Sequence, residues 1–156
     1  MFSGIIEQVG KVINIEDHGD RRLAIKTKFS KKDIKLGSSV CCNGVCLSIH
    51  TIKKNKVNLV LSFDVSKETL KCTNFNNLYY GSLINLEKSL KVGDEISGHF
   101  VFGHVDTVSE LKSKKKSGKS YILEFTMPKN IRKLVTKKGS ISINGISLTV
   151  NKTTKD

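Results

Sequence analysis

Val40-Cys41-Cys42-Asn43-Gly44-Val45-Cys46-Leu47-Ser48-Ile49 reads as a tight β-hairpin. Small and β-branched residues flank Asn43-Gly44, the dipeptide best suited to the two positive φ angles of a type I′ turn. The pattern returns as Ile141-Ser142-Ile143-Asn144-Gly145-Ile146-Ser147-Leu148-Thr149-Val150, at an offset of 144 − 43 = 101. A second pair agrees: Ser3-Gly4-Ile5-Ile6-Glu7-Gln8-Val9 with Phe102-Gly103-His104-Val105-Asp106-Thr107-Val108, offset 103 − 4 = 99. So long a period indicates a duplicated domain rather than a solenoid of roughly 20–50-residue repeats. A second copy starting near residue 98 would run to about 195–200 by the same offset. The sequence ends at Asp156. The expectation is one domain over residues 1–97 and a second, incomplete one over 98–156.

The segments between the hairpins also read as β. Ile5-Ile6, Val9 and Val12-Ile13-Ile15 form a strand region, and Glu16-Asp17-His18-Gly19-Asp20 a polar turn. Leu23, Ile25 and Thr27 alternate like a half-buried strand. Val57–Phe63 is another strand, and Asp33–Gly37 and Leu90–Asp94 read as polar turns leading into strands. Two short helices are predicted. One begins at Ser66-Lys67-Glu68-Thr69-Leu70, where Ser66 and Thr69 can cap. The other covers Met127–Val135, with Pro128 near its start and Ile131, Leu134 and Val135 at helical spacing. Many short strands with hairpin turns imply an all-β fold, a small antiparallel barrel per copy. The Lys112–Ser120 run reads as a solvated hairpin loop, the alternative being a polyanion patch.

Composition narrows the function. The net charge is +13, but only Arg21, Arg22 and Arg132 among the 27 basic residues are arginines. Arginine is the preferred residue for bidentate phosphate and guanine contacts, so specific nucleic-acid binding is disfavoured. No apolar run approaches the roughly 18 residues of a membrane-spanning helix. The N-terminus lacks the basic-then-apolar pattern of a signal peptide, which makes the cytoplasm the default location. Cys41, Cys42, Cys46 and Cys72 match neither a disulfide framework nor a zinc-knuckle spacing, and no metal is expected.

Five motifs in order give the chain a family resemblance. They are Met1-Phe2-Ser3-Gly4-Ile5-Ile6, then Ser39-Val40 with Asn43-Gly44-Val45-Cys46-Leu47-Ser48, then Lys67-Glu68-Thr69-Leu70. Gly98-His99-Phe100-Val101-Phe102-Gly103-His104-Val105-Asp106 and Gly139–Val150 complete the set. The whole chain resembles riboflavin synthase, with Ser3 and Ser48 standing where the family usually has threonine. The resemblance implies two tandem six-stranded antiparallel Greek-key barrels, the second incomplete here. It implies dismutation of two molecules of 6,7-dimethyl-8-ribityllumazine to riboflavin and 5-amino-6-(ribitylamino)uracil, with no metal or redox cofactor. It also implies a homotrimer whose active sites form between the N-terminal barrel of one subunit and the C-terminal barrel of its neighbour. No nucleic acid and no membrane enter that picture. The family's second Glu-Thr-Leu segment, a second pocket acid and a C-terminal helix would lie beyond Asp156.

The residues that would carry this chemistry follow. Cys46 corresponds to Ser147, and His104 to Ile5, so the two copies share a scaffold but not reactive groups. Donor and acceptor substrates call for such inequivalence. His104 suits a general acid/base, its competing role being a histidine bonded to backbone. Cys46 fits a transient nucleophile or a pocket wall, the wall being favoured. Ser39 fits a hydrogen-bonding or adding group, or a plain strand serine. Ser48, Thr69, Ser147 and Thr149 offer hydroxyls to a pteridine edge or ribityl chain. Asp64 and Glu68 suit ribityl hydroxyls, though Glu68 equally suits a helix N-terminus. Gly4 and Gly103 would let backbone approach the ring. The resemblance adds Ile5, Ile6, Leu47, Val65, Ser66, Lys67, Val105, Lys138 and Leu148 to the binding set. His99, five residues before His104, reads as structural, and neither His18 nor His50 is assigned a role. Two rivals remain: a protein of this fold that holds lumazine or flavin without turnover, and a basic barrel that binds RNA.

Overall fold

The computed structural model describes residues 1–18, 20–55 and 57–154. Its first part is a closed barrel of six antiparallel strands in the order β1-β2-β5-β4-β3-β6. These are β1 (Gln8–His18), β2 (Asp20–Thr27), β3 (Ser39–Cys42), β4 (Val45–Asn55), β5 (Asn58–Val65) and β6 (Leu83–Lys88). Alternation decides which way each strand faces. In β4, Val45, Leu47 and Ile49 are buried, while Ser48 and His50 are exposed. Leu23, Ile25, Leu61, Phe63 and Leu86 converge with them on one core. Phe63 is fully buried, so Phe63→Ala is expected to cost about 3–5 kcal/mol. Closure of β6 onto β1 leaves this sheet without a free edge.

Asn43-Gly44 makes the turn between β3 and β4, with φ of 45° and 87°. Ser66 caps α1 (Lys67–Cys72), its Oγ accepting from the Thr69 amide at 3.1 Å. A bulge shifts the register between Ile49 and Thr51 and re-aims His50 toward Asp64.

The second part is two separate hairpins. β7 (Leu111–Ser117) pairs with β8 (Ser120–Phe125), and β9 (Ser140–Ile143) pairs with β10 (Ile146–Thr149). Each forms a two-stranded sheet. Asn144 and Gly145 repeat the turn, with φ of 49° and 82°.

Several expectations change. The lysine run is strand rather than loop: β7 extends to Ser117, leaving Gly118-Lys119 as the turn. β1 runs through Glu16 and Asp17, and β2 starts at Asp20; Gly19, at the centre of the expected turn, lies outside the described residues. Ile5-Ile6 precede β1 rather than joining it. A turn forms at Val92-Gly93, but no strand follows it directly. Met127–Val135 is not helical. It makes turns closed by Ile131 N–H to Pro128 O (3.3 Å) and Leu134 N–H to Ile131 O (2.8 Å). Helical spacing yields a helix only when its apolar face is packed, and Leu134 is 74% exposed.

Candidate functional site

The β3–β4 and β9–β10 hairpins meet at their turns. A Cβ on Gly44 would stand 2.9 Å from the Gly145 nitrogen, and the converse distance is also 2.9 Å. Each hairpin also receives the segment that leads into the other copy. The Cys46 amide donates to Gly103 O at 2.9 Å, and the Ser147 amide donates to Gly4 O at 2.8 Å. By the sequence offsets Cys46 matches Ser147 and Gly103 matches Gly4, so one hydrogen bond is made twice with its partners exchanged.

Glycine is required at both contacts. A Cβ at Gly103 would lie 2.5 Å from Cys46 Cβ, and one at Gly4 would lie 2.7 Å from Ser147 Cβ. Both residues have positive φ, +79° and +77°. His104 and Val105 are thereby carried to the first barrel. Val105 packs on its core, and His104 remains exposed. Gly4 brings Ile5 and Ile6 to the second hairpin in the same way; Ile5 is exposed and Ile6 half-buried.

Glu87 on β6 anchors the segment that carries Gly4. It is 3% exposed. Its Oε1 accepts from the Ser3 amide (2.7 Å) and hydroxyl (2.9 Å), and its Oε2 from the Gly4 amide (3.0 Å). Three donors satisfy a carboxylate whose burial would otherwise be costly. Sequence reasoning missed it; the available signal was a glutamate following Leu86 in an apolar strand. It also missed the position of His99, whose Nδ1 lies 2.7 Å from Ser147 Oγ.

The thiols divide by environment. Burial pushes Cys41 up to about 12, with the nearby Glu87 charge adding to the effect, and burial raises Cys42 well above the ordinary thiol value. Both therefore stay neutral and act as small apolar groups. Cys46 stands opposite Cys41 in the β3–β4 register and packs, half-buried, with Phe2, Cys41 and Val101.

The remaining predicted residues spread outward. Ser48 is exposed on β4 opposite Ser39, which is half-buried and accepts at its carbonyl from Ser89 Oγ (2.9 Å). The side chains of Leu47 and Val65 lie in the barrel core, leaving only their backbones toward any ligand. Asp64 is held bidentately by Arg22 (2.7 and 3.2 Å), with His50 Nδ1 at 3.2 Å. The hydrogen bond from Arg22 holds its carboxyl below the ordinary range. Ser66 and Thr69 serve the cap of α1, and Lys67 and Glu68 are exposed in its first turn. Lys138 has φ +68°, and its amide donates to Val150 O at 2.7 Å. Leu148 and Thr149 are exposed on β10. Two shallow grooves of about 460 Å³ each lie elsewhere, one running past His50 and Thr51 and the other past Arg22 and Ser62. They include none of the junction residues, and their open lysine-lined walls lack the enclosure that desolvates a ligand. Among the described residues, no group of three or more His, Cys, Asp or Glu side chains could hold a metal ion.

The profile of the lumazine binding domain family matches residues 3–89 and 102–156. Riboflavin synthase of Brucella abortus (strain 2308) is 38% identical over 154 residues, covering 97% of this chain and 76% of that protein. Riboflavin synthase of Chlamydia muridarum (strain MoPn / Nigg) is 42% identical over 150 residues, covering 96% and 72%. The crystal structure of LumP complexed with riboflavin superposes with a TM-score of 0.86 at 22% identity, covering 100% of this chain and 83% of that one. LumP complexed with 6,7-dimethyl-8-(1'-D-ribityl) lumazine gives 0.83. The structural likeness is one of fold.

Proposed function

The chain belongs to the riboflavin synthase family, and from that premise we propose that it binds 6,7-dimethyl-8-ribityllumazine beside the two hairpin junctions. In the proposed reaction two such molecules exchange a four-carbon unit, giving riboflavin and 5-amino-6-(ribitylamino)uracil. The observation that carries the reading is the pair of exchanged junctions with unlike groups. Cys46 lies with Gly103-His104 at one, and Ser147 with Gly4-Ile5 at the other. Two copies of one substrate playing different roles need two similar sites with different chemistry.

The reaction removes a proton from the C7 methyl of one lumazine and adds a nucleophile at C7 of the other. His104 is the proposed proton-transfer group, exposed beside the Cys46 junction. Cys46 lines that site, and Ser39 and Ser48 offer hydroxyls from adjacent strands. Asp64 and Glu68 face the ribityl chain in this reading. Ser147 and Thr149 play the corresponding part in the second site. Residues 1–97 and 98–156 act as the two units, in a cytoplasmic protein that assembles as a trimer. The neighbour's second unit completes each active site.

The test is incubation of the chain with the lumazine. Growth of riboflavin fluorescence supports turnover. A second reading, a holder of lumazine or flavin without turnover, is favoured by the two separate sheets formed by the strands after residue 110. A spectral shift of bound ligand with no growth of riboflavin would select it. No interaction with either ligand would sink both.

A further inference from the structure

We infer that His99 is a positioning residue for the Ser147 junction, where its imidazole fixes the serine hydroxyl that faces the ligand. This rests on the ligand-binding reading above. His99 Nδ1 lies 2.7 Å from Ser147 Oγ, and both residues are half-buried.

The approach is constrained from several sides. The His99 amide donates to Ser3 O at 3.0 Å, and Ser3 is itself held by Glu87. At the preceding position, a Cβ on Gly98 would collide with Ser3 O and stand 3.0 Å from Ser147 Oγ. Only glycine there lets the histidine reach the serine. Ser142 stands opposite Ser147 in the β9–β10 register, yet its buried hydroxyl has no partner. The Ser147 hydroxyl is engaged by the imidazole rather than by its cross-strand neighbour.

A serine hydroxyl carries one proton and two lone pairs and rotates freely unless held. When Nδ1 accepts the serine proton, Ser147 turns lone pairs toward a ligand donor, such as a ribityl hydroxyl. When Nδ1 donates, Ser147 is free to donate to a ring carbonyl. Either arrangement orients the hydroxyl before the ligand arrives, which lowers the ordering cost of binding. At the matching junction the group is the Cys46 thiol, and no hydrogen bond joins it to an imidazole among the described residues. The histidine thus adds to the inequivalence of the two sites and gives the Ser147 side its polar selectivity.

The test is a fluorescence titration of the full chain with 6,7-dimethyl-8-ribityllumazine. His99→Asn places an amide near the Nδ1 position, His99→Gln places one near Nε2, and His99→Phe keeps only the ring shape. Phe and Gln are expected to weaken binding roughly 3–10-fold, the range of one hydrogen bond, and Asn to restore most of the loss. In a Ser147→Ala background, His99→Phe is expected to cause no further loss. Equal affinities for the Asn, Gln and Phe variants, or a Phe effect that persists without the Ser147 hydroxyl, would overturn the inference. Binding indifferent to His99 overturns this inference alone. Failure of the unaltered chain to bind the lumazine overturns the functional reading and this inference together.

Discussion

Phe2 and Val101 hydrogen-bond to each other in both directions: Phe2 N–H to Val101 O at 2.8 Å and Val101 N–H to Phe2 O at 2.9 Å. They are 99 residues apart, the spacing that relates Gly4 to Gly103. The two matching stretches thus pair where they are equivalent. From that pair each runs on to the opposite hairpin. Both side chains are buried, Phe2 completely, with Cys41 as a shared neighbour.

Gly103→Ala should displace the segment carrying His104. The new Cβ would meet Cys46 Cβ at 2.5 Å from a backbone at φ +79°. Gly93→Ala is the control: its φ is +95°, but nothing lies within 4 Å. Backbone strain of about 1–2 kcal/mol is common to both. Gly103→Ala is expected to lose lumazine affinity more than tenfold beyond the control. Equal affinities, measured by fluorescence titration, would count against the junction as the site.

Glu87→Ala should destabilise the protein by about 2–4 kcal/mol, because it leaves buried donors of Ser3 and Gly4 unpaired. Lys88→Ala should do far less, since its ion pairs to Glu7 and Asp33 are partly exposed. Urea midpoints compare the two. A Glu87→Ala midpoint no lower than that of Lys88→Ala would remove Glu87 from its anchoring role.

Thiol labelling at pH 8 should distinguish the cysteines. Cys41 and Cys42 are buried and stay protonated, Cys41 being pushed up to about 12 by burial. They should label only after unfolding, while half-buried Cys46 labels in the native state. Bound lumazine is expected to slow labelling of Cys46 without affecting Cys72. Mass spectrometry of labelled peptides reads this directly, and indifference of Cys46 to ligand contradicts its place in the pocket wall.

The Arg22–Asp64 pair sets a small pH dependence. Asp64 titrates below its ordinary 3.8 in the folded state, chiefly through the hydrogen bond from Arg22. Its contribution is full above that ordinary value and is lost as pH falls through the lower folded value. The two side chains are 43% and 42% exposed, so water and salt screen the pair and its contribution is small. Arg22→Ala should raise the Asp64 value seen by NMR titration and flatten the loss of stability below about pH 4. An unmoved Asp64 titration would show that Arg22 does not set it.

Local features were legible because their causes are local. Asn43-Gly44 and Asn144-Gly145 announce turns because few residues accept positive φ in succession. Ser66 announces a helix start because its hydroxyl reaches an amide three residues on. Met127–Val135 misled because helical spacing is only a request for a partner face, and here none covers Leu134. The Lys112–Ser120 run misled because charge signals exposure, and an exposed strand satisfies it as well as a loop does.

By itself the sequence determined that this is an all-β chain with two matching hairpins, and that their reactive residues differ. Only the tertiary structure decided which segment meets which hairpin. Glu87 holds Ser3 across 84 residues of sequence, and His99 meets Ser147 across 48. Contacts at such separations depend on barrel closure and on the stacking of the Gly44 and Gly145 turns. No short-range periodicity encodes them. A buried glutamate and a histidine bonded to a distant serine look, in one dimension, like any polar residue on a strand or loop; burial and partner geometry, both products of the fold, separate them.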